Sequence, residues 1–284
     1  MSWSQAADGA QAAGAAGNRP ELAALIFDVD GTLADTEEAH RRAFNRAFRM
    51  HGLDWHWSVE LYADLLDVTG GQERISHYID RLPLPSPQRE ALRSQTFAIH
   101  GTKTRVFAEL VGLGAVAPRA GIRRLLVEAR SAGIRLAIAS TTTRANVESL
   151  IGAILGGTTL RWFDVIATGN VVRHKKPAPD IYDLALTDLG TSASQSIAFE
   201  DSAIGLQAAK AAGLFTVATP SKWTVAQDFS AADLVLPSLA DPDQPLERPY
   251  QLRIGARYLG LEQLAKIARM TLPQAVEAAR ARGC

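Results

Sequence analysis

The stretch LAALIFDVDGT, residues 22–32, decides the fold of this chain. Its apolar part has the length of a buried strand and stops at Asp28, and Gly31 then allows a sharp turn. Two carboxylates, Asp28 and Asp30, therefore stand where the strand ends. Open α/β sheets bind their ligands beyond the carboxyl ends of the strands, so this turn is the first place where we expect chemistry.

Four further short apolar runs follow Pro118, and helical patterns separate them. The runs are IRLAIAS (134–140), DVIAT (164–168), SIAFE (196–200) and FTVA (215–218), with helical patterns near 121–132, 143–154, 179–189 and 203–212. Strand–helix alternation of this kind favours a parallel sheet with helices on both faces. We predict a Rossmann-like, doubly wound α/β fold that also contains the first strand.

The stretch 36–117 differs from both of its flanks, because it is helical in pattern and contains no convincing strand. It predicts an all-helical cap inserted into a discontinuous α/β core made of residues 21–35 and 118–240. Residues 1–20, rich in Ala and Gly, are typical of a flexible extension. Residues 241–284 are predicted to form a linker and a helical tail.

Composition narrows the possible classes of function. The 284 residues carry 30 Lys and Arg against 30 Asp and Glu, with no basic stripe, so nucleic acid is not an expected partner. No window approaches the ~20 apolar residues of a membrane span, so we expect no membrane partner. A single cysteine, Cys284, and the lack of signal-peptide features favour a cytoplasmic protein.

Polar residues also stand at the ends of two other predicted strands and in one loop. They are Ser140 and Thr141 after the second strand, Lys176 in the KKP segment, and Glu200 with Asp201 after the fourth strand. Carboxylates that converge at one sheet edge repel one another unless a hard cation lies among them, and Mg²⁺ prefers carboxylates, waters and a phosphate. The predicted cofactor is therefore Mg²⁺, with Asp28, Asp30, Glu200 and Asp201 as its ligands. An aspartate beside Mg²⁺ can attack phosphorus to form an aspartyl-phosphate.

Four segments resemble the motifs of the haloacid dehalogenase superfamily of phosphatases, in the family's order and spacing. They are DVDGTL (28–33), IAST (138–141), KPAPD (176–180) and EDSAIG (200–205), within a resemblance that spans roughly 21–240. The implied roles are nucleophile for Asp28, general acid/base and backbone-carbonyl metal ligand for Asp30, phosphate-binding hydroxyl for Ser140, charge-stabilising lysine for Lys176, and acids at the metal for Glu200 and Asp201.

The helical insertion resembles the cap of the β-phosphoglucomutase-like branch of that superfamily. The matching segments are DTEEAHRRAF (35–44), TGGQERI (69–75) and the lysine of HGTKTRVF (100–107), and GLDWHW (52–57) is similar to CbbY-type proteins. The implied substrate contacts are Thr36, His40, Gly71, Arg74 and Lys103 from the cap and Thr141 from the core. The resemblance implies a Mg²⁺-dependent phosphatase that hydrolyses a small sugar phosphate, in particular a ketose bisphosphate such as xylulose 1,5-bisphosphate. We expect a monomer or a weak homodimer.

Several alternatives remain open. A phosphosugar mutase would have almost the same site, and a phosphoglycolate phosphatase would act on a substrate without the second phosphate that Arg74 suits. A signalling receiver domain would use the phospho-aspartate as a switch, but Asp30 would shorten its life. Ser140 could instead cap the following helix, His40 could be a core histidine, and Arg74 and Lys103 could be surface charges.

Overall fold

Six parallel strands form one sheet in the computed structural model, which describes residues 22–169 and 171–271. The strands are β1 (Ala24–Phe27), β2 (Arg135–Ser140), β3 (Val165–Thr168), β4 (Ser196–Glu200), β5 (Phe215–Ala218) and β6 (Leu234–Val235). Their order across the sheet is β3-β2-β1-β4-β5-β6. The predicted fold and its first five strands are confirmed. β6 is absent from the prediction because two residues are too few to show a period.

Helices lie between and after the strands in the described residues. They are α1 (Glu37–Met50), α2 (Val59–Leu65), α3 (Gly71–Arg81), α4 (Ser86–Arg93), α5 (Thr96–Gly112), α6 (Ile122–Ser131), α7 (Arg144–Ile154), α8 (Asp180–Leu189), α9 (Ala203–Ala211), α10 (Arg248–Ile254) and α11 (Leu261–Thr271). Short 3₁₀ helices lie at Thr159–Trp162 and Ala193–Gln195.

β1 lies between β2 and β4 and is buried on both faces. Ala24 and Ile26 pack into the hydrophobic layer of α8 and α9, whereas Leu25 and Phe27 pack into the layer of α6 and α7. A strand with helices on both faces needs apolar side chains at every position, which is why this stretch shows no polar alternation. The central place of β1 puts Asp28 in the middle of the strand ends.

The helices α1–α5 lie between β1 and β2 in the chain, where the sequence predicts the cap. The apolar face of α1 is buried, and its aromatic members Phe44 and Phe48 pack against Trp57 with ring centroids 4.6 and 4.8 Å apart. Tyr62 extends this aromatic cluster towards Phe44. The helices therefore have a hydrophobic core of their own.

The segment after residue 240 packs against α6 rather than extending into solvent. Leu246, Leu259 and Leu264 are buried in the same hydrophobic cluster as Leu125 of α6. The predicted helical tail includes α11, and the part of it beyond residue 271 lies outside the described residues, as does the extension 1–20. Among the described helices, none is long and apolar enough to cross a membrane.

Candidate active site

Four side chains from two strand ends and one loop meet beyond β1. Lys176 Nζ donates to Asp28 Oδ1 at 2.7 Å and to Glu200 Oε1 at 2.5 Å. Oxygen atoms of Asp28, Glu200 and Asp201 all lie within 4.8 Å of one another, and all three residues are buried. This arrangement follows from the register of the sheet, because Phe27 pairs with Phe199 and the next residues are Asp28 and Glu200.

Two glycines let these acids approach the backbone closely. A Cβ on Gly31, which has a φ of +85°, would lie 2.0 Å from Asp201 Oδ2. A Cβ on Gly205 would lie 1.9 Å from Glu200 Oε2. Both positions therefore require glycine, since any side chain would displace an acid of the cluster.

The cluster holds more negative charge than its own lysine can neutralise. Burial, together with the charge of Glu200, raises the pKa of Asp28 to about 8, although Lys176 opposes this shift. Burial, Asp28 and Glu200 raise the pKa of Asp201 well above its ordinary value. Burial alone would lower the pKa of Lys176, but Asp28 and Glu200 outweigh it and raise the pKa.

These side chains fit a divalent cation. Three buried carboxylates face one buried ammonium, so a charge of +2 would bring the group to neutrality. Carboxylate oxygens at this spacing are ligands that hard cations accept. Asp28, Glu200 and Asp201 could therefore hold a metal ion, and Tyr182 supports them, because its hydroxyl donates to Glu200 Oε1 at 2.5 Å.

Asp30 lines the same cavity as Asp28 and ends a chain of hydrogen bonds from the cap. Its Oδ1 accepts from Thr36 Oγ1 at 2.7 Å and lies 2.9 Å from His40 Nε2. Lys103 Nζ lies 2.7 Å from His40 Nδ1. An ammonium can only donate, so this contact assigns the acceptor role to Nδ1 and the proton to Nε2, which donates to Asp30.

The pKa values along this chain follow from burial and charge. Burial would raise the pKa of Asp30, but His40, the Thr36 hydrogen bond and Lys103 outweigh it and hold the pKa well below its ordinary value. Burial and Lys103 lower the pKa of His40, which favours the neutral ring. Burial lowers the pKa of Lys103 to about 8. The Oδ2 of Asp30 receives neither of these bonds, which suits a group that exchanges protons there.

The hydroxyl residues at and after the end of β2 have two different roles. Thr143 caps α7, since its side chain accepts from the Asn146 backbone N–H. The alternative that Ser140 caps this helix is therefore wrong. Ser140 and Thr141 instead line the same cavity as Asp28, and Ser140 Oγ accepts from the Thr142 backbone N–H at 3.3 Å.

A cavity of about 270 Å³ lies between the strand ends and the helices α1, α3 and α5. His40, Gly71, Arg74 and Lys103 line it from the cap side. The structure does not place Thr36 there, because its hydroxyl is fully buried against Asp30. Among the predicted substrate contacts, Thr36 alone is thus placed behind the site rather than on its wall.

Direct contacts hold the helices over the strand ends. Thr69 Oγ1 donates to the Lys176 carbonyl at 2.7 Å, and Lys175 pairs with Glu73 of α3. The ring of Trp223, from the loop after β5, lies 5.6 Å from that of Tyr62. Lys175 therefore bridges the two sides of the cavity mouth.

Sequence reasoning misses several side chains of this site. Glu37 lines the cavity and accepts from the Tyr62 hydroxyl at 2.6 Å, while Tyr62 in turn accepts from Arg74 at 3.1 Å. Asn146 also lines the cavity, and its Oδ1 has no partner among the described residues. Glu37 is an acid in the first turn of α1, and Asn146 lies in α7, both of which are common in any helix. Nothing in the local sequence therefore marks either residue as part of a site.

Comparison with known proteins agrees with this geometry. The model of the haloacid dehalogenase-like hydrolases matches residues 22–213. The chain belongs to this family. It is similar to the CbbY protein of Cupriavidus necator, with 50% identity over 226 residues that cover 79% of this chain and 89% of the relative. It is also similar to a phosphorylated carbohydrates phosphatase of Thermotoga maritima, with 32% identity over 194 residues that cover 68% and 82%.

A solved structure adds a ligand to the comparison. It is CbbY from Rhodobacter sphaeroides, in which one aspartate is mutated to asparagine, in complex with xylulose 1,5-bisphosphate. It superposes with a TM-score of 0.71 at 45% identity and covers 78% of this chain and 96% of that one. With these relatives, the predicted family and the predicted class of phosphatase are confirmed.

Proposed function

We propose that this hydrolase removes one phosphate from a ketose bisphosphate such as xylulose 1,5-bisphosphate, with Mg²⁺ as its cofactor. The observation that carries the proposal is the distribution of charge around the cavity. The anion-binding groups Lys176 and Ser140 lie at its core end, and Arg74 and Lys103 lie at its cap end. A substrate with a phosphate at each end matches this arrangement, and the ligand of the Rhodobacter relative has this form.

In this proposal Asp28 attacks the phosphorus atom at the core end and forms an aspartyl-phosphate. Lys176 and the Ser140 hydroxyl bind its oxygens, since phosphoryl transfer depends mainly on positioning and charge neutralisation. Asp28, Glu200, Asp201 and the Asp30 carbonyl would hold Mg²⁺, which supplies positive charge to the transferred group. Asp30, whose low pKa means that it must first take up a proton at Oδ2, gives that proton to the leaving alcohol and then takes one from the water that hydrolyses the aspartyl-phosphate.

Arg74 is the residue that we expect to bind the second phosphate. Its guanidinium donates to the carbonyls of Leu65 and Val68 and to the Tyr62 hydroxyl, which fix its orientation. Each terminal nitrogen makes one of these bonds, so each has a second N–H for a ligand. A fixed fork of this kind suits a phosphate.

A panel of sugar phosphates with Mg²⁺, followed by ³¹P NMR, tests the proposal. We expect xylulose 1,5-bisphosphate to show a kcat/KM about 10- to 100-fold above that of its monophosphates, because charge-assisted hydrogen bonds contribute about 1.5–3 kcal/mol. Arg74→Lys keeps the charge but loses the fork, so it should reduce this ratio. Equal rates on bisphosphates and monophosphates would contradict the bisphosphate proposal. An isomeric sugar phosphate in place of free phosphate would identify a mutase.

A further inference from the structure

Arg119 follows Pro118 in the segment that connects α5 to α6. Its guanidinium is surrounded by backbone carbonyls from three separate loops. Nη1 donates to the carbonyls of Gly31 and Thr219. Nη2 donates to the carbonyls of Pro220 at 3.1 Å and Pro237 at 2.9 Å.

The remaining nitrogen of Arg119 faces the first connection to the helices. Nε lies 3.7 Å from Asp35 Oδ1, and only 9% of the Arg119 side chain is exposed. The Arg119 backbone N–H donates to the Leu33 carbonyl at 2.9 Å, and Ala34 pairs with Pro118 in a β-bridge. Four of the five guanidinium N–H groups thus donate to backbone carbonyls, and the fifth faces Asp35 in an ion pair. Both connections to the helices meet at this residue.

The carbonyl of Gly31 connects Arg119 to the nucleophile loop. The Gly31 N–H donates to the Ala34 carbonyl at 2.8 Å, so both peptide planes that flank Gly31 are held. This matters because Asp30 directly precedes Gly31 and Asp28 lies two residues before Asp30. Glycine suits the positive φ at this position but has no side chain that could fix the loop.

The carbonyl of Thr219 connects Arg119 to the acids at the end of β4. The Thr219 N–H donates to the Glu200 carbonyl at 2.7 Å, so a shift of the Thr219 peptide would reach Glu200 and Asp201. Arg119 thereby joins the loop of Asp28 to the loop beside Glu200 through one rigid, planar group. Neither connection touches the cavity, and Arg119 is not among its lining residues.

We propose that Arg119 is a positioning residue, which holds the nucleophile loop in register with the acids at the end of β4. It contacts neither substrate nor the reacting atoms. Its loss should affect the chemical step, because a small misplacement of reacting groups can cost about 100-fold in rate. The proposal depends on the phosphatase class alone and not on which sugar phosphate is the substrate.

The chain offers a matched control in Arg124 of α6. Arg124 Nη2 donates to the carbonyls of Ala240 and Leu259, and its other nitrogens pair with Glu128 and Asp241. It is therefore another largely buried guanidinium that joins distant segments, but it contacts neither the nucleophile loop nor the end of β4. Arg124→Met reports the effect of a lost guanidinium on stability alone.

The experiment compares Arg119→Met, Arg119→Lys and Arg124→Met by thermal melting and by kinetics on p-nitrophenyl phosphate, with the best sugar phosphate of the panel as second substrate. We expect Arg119→Met to lower kcat about 10- to 100-fold with little change in KM, and Arg119→Lys to restore part of the rate. Arg124→Met should lower the melting temperature and leave kcat within about 2-fold, since its contacts are remote from the site.

Two results would overturn the proposal. One is a folded Arg119→Met protein with the wild-type kcat, and the other is an equal fall in kcat for Arg124→Met. If Arg119→Met does not fold, Arg119→Lys decides, since its ammonium lacks the planar fork: a reduced kcat with unchanged KM supports the proposal and a wild-type kcat rejects it. A wild type that hydrolyses p-nitrophenyl phosphate but no ketose bisphosphate would reject the proposed substrate and leave this test intact.

Discussion

Replacing Lys176 with methionine removes the one ammonium among three buried carboxylates. Lys176 lies 2.7 Å from Asp28 and 2.5 Å from Glu200, and 3% of its side chain is exposed. Loss of one partner from a buried ion pair costs about 3–5 kcal/mol, because the remaining charge is left without compensation. We expect a loss of this size in the free energy of unfolding, measured by urea denaturation in EDTA at about pH 9.

The loss should shrink as the pH falls. The pKa of Asp28 is raised to about 8, so its folded form binds a proton more readily than the unfolded chain, and stability is lost as the pH rises through about 8. Removing Lys176 raises that pKa further. At about pH 6 the carboxyl is protonated in both proteins, and the difference between wild type and variant should be smaller than at about pH 9.

Lys175→Met is the matched control for this prediction. Lys175 is the neighbouring residue, and its ion pair with Glu73 is partly exposed, so its loss should cost about 0–1 kcal/mol. A Lys176→Met protein as stable as Lys175→Met at about pH 9 would refute the assignment of Lys176 as the neutralising charge. Lys176→Met should also lower kcat at least about 100-fold, as expected for the loss of a donor that stabilises transition-state charge.

Three further predictions follow from the contacts of the site. Mg²⁺ should raise the melting temperature more at about pH 9 than at about pH 6, since protons on Asp28 and Asp201 compete with the cation; an equal rise at both would contradict this. Thr36→Val removes a hydrogen-bond donor to Asp30 and should raise the Asp30 pKa, so the acid limb of the kcat–pH profile should move to higher pH. An unmoved acid limb would show that this limb does not report the protonation of Asp30. Tyr182→Phe should raise the Mg²⁺ concentration for half-maximal activity by about 10-fold, because groups that orient metal ligands tune affinity; an unchanged titration would exclude this role.

Much of the fold could be predicted because its signals are local. The apolar runs that end at Asp28, Ser140 and Glu200 each carry a strand and a polar end, and the parallel arrangement brings these ends together. The buried face of α1 follows from its period. What could not be predicted depends on contacts between distant segments. The carbonyls around Arg119 lie 88 to 118 positions away from it in the sequence, and no local pattern indicates these contacts.

The candidate site divides in the same way. Its acids and Lys176 stand in short motifs, so their meeting was predictable, whereas Thr36 had no signal that its hydroxyl would turn towards Asp30. Glu37 of α1 and Tyr182 of α8 also belong to the site, but the sequence patterns of these helices are those of ordinary amphipathic or buried segments. Their parts depend on side-chain direction, which periodicity does not determine.

Trapping of the phosphorylated enzyme tests the central claim, that Asp28 carries the phosphoryl group. Asp30→Asn should slow hydrolysis of the intermediate, and p-nitrophenyl phosphate has a leaving group that needs little help from an acid, so the aspartyl-phosphate should accumulate. After acid quenching, borohydride reduction would convert the aspartyl-phosphate to homoserine. Peptide mass spectrometry would then locate the homoserine in the sequence. The account predicts homoserine at position 28 only when substrate and Mg²⁺ are present. Phosphate release with homoserine elsewhere, or with none at position 28, would contradict it.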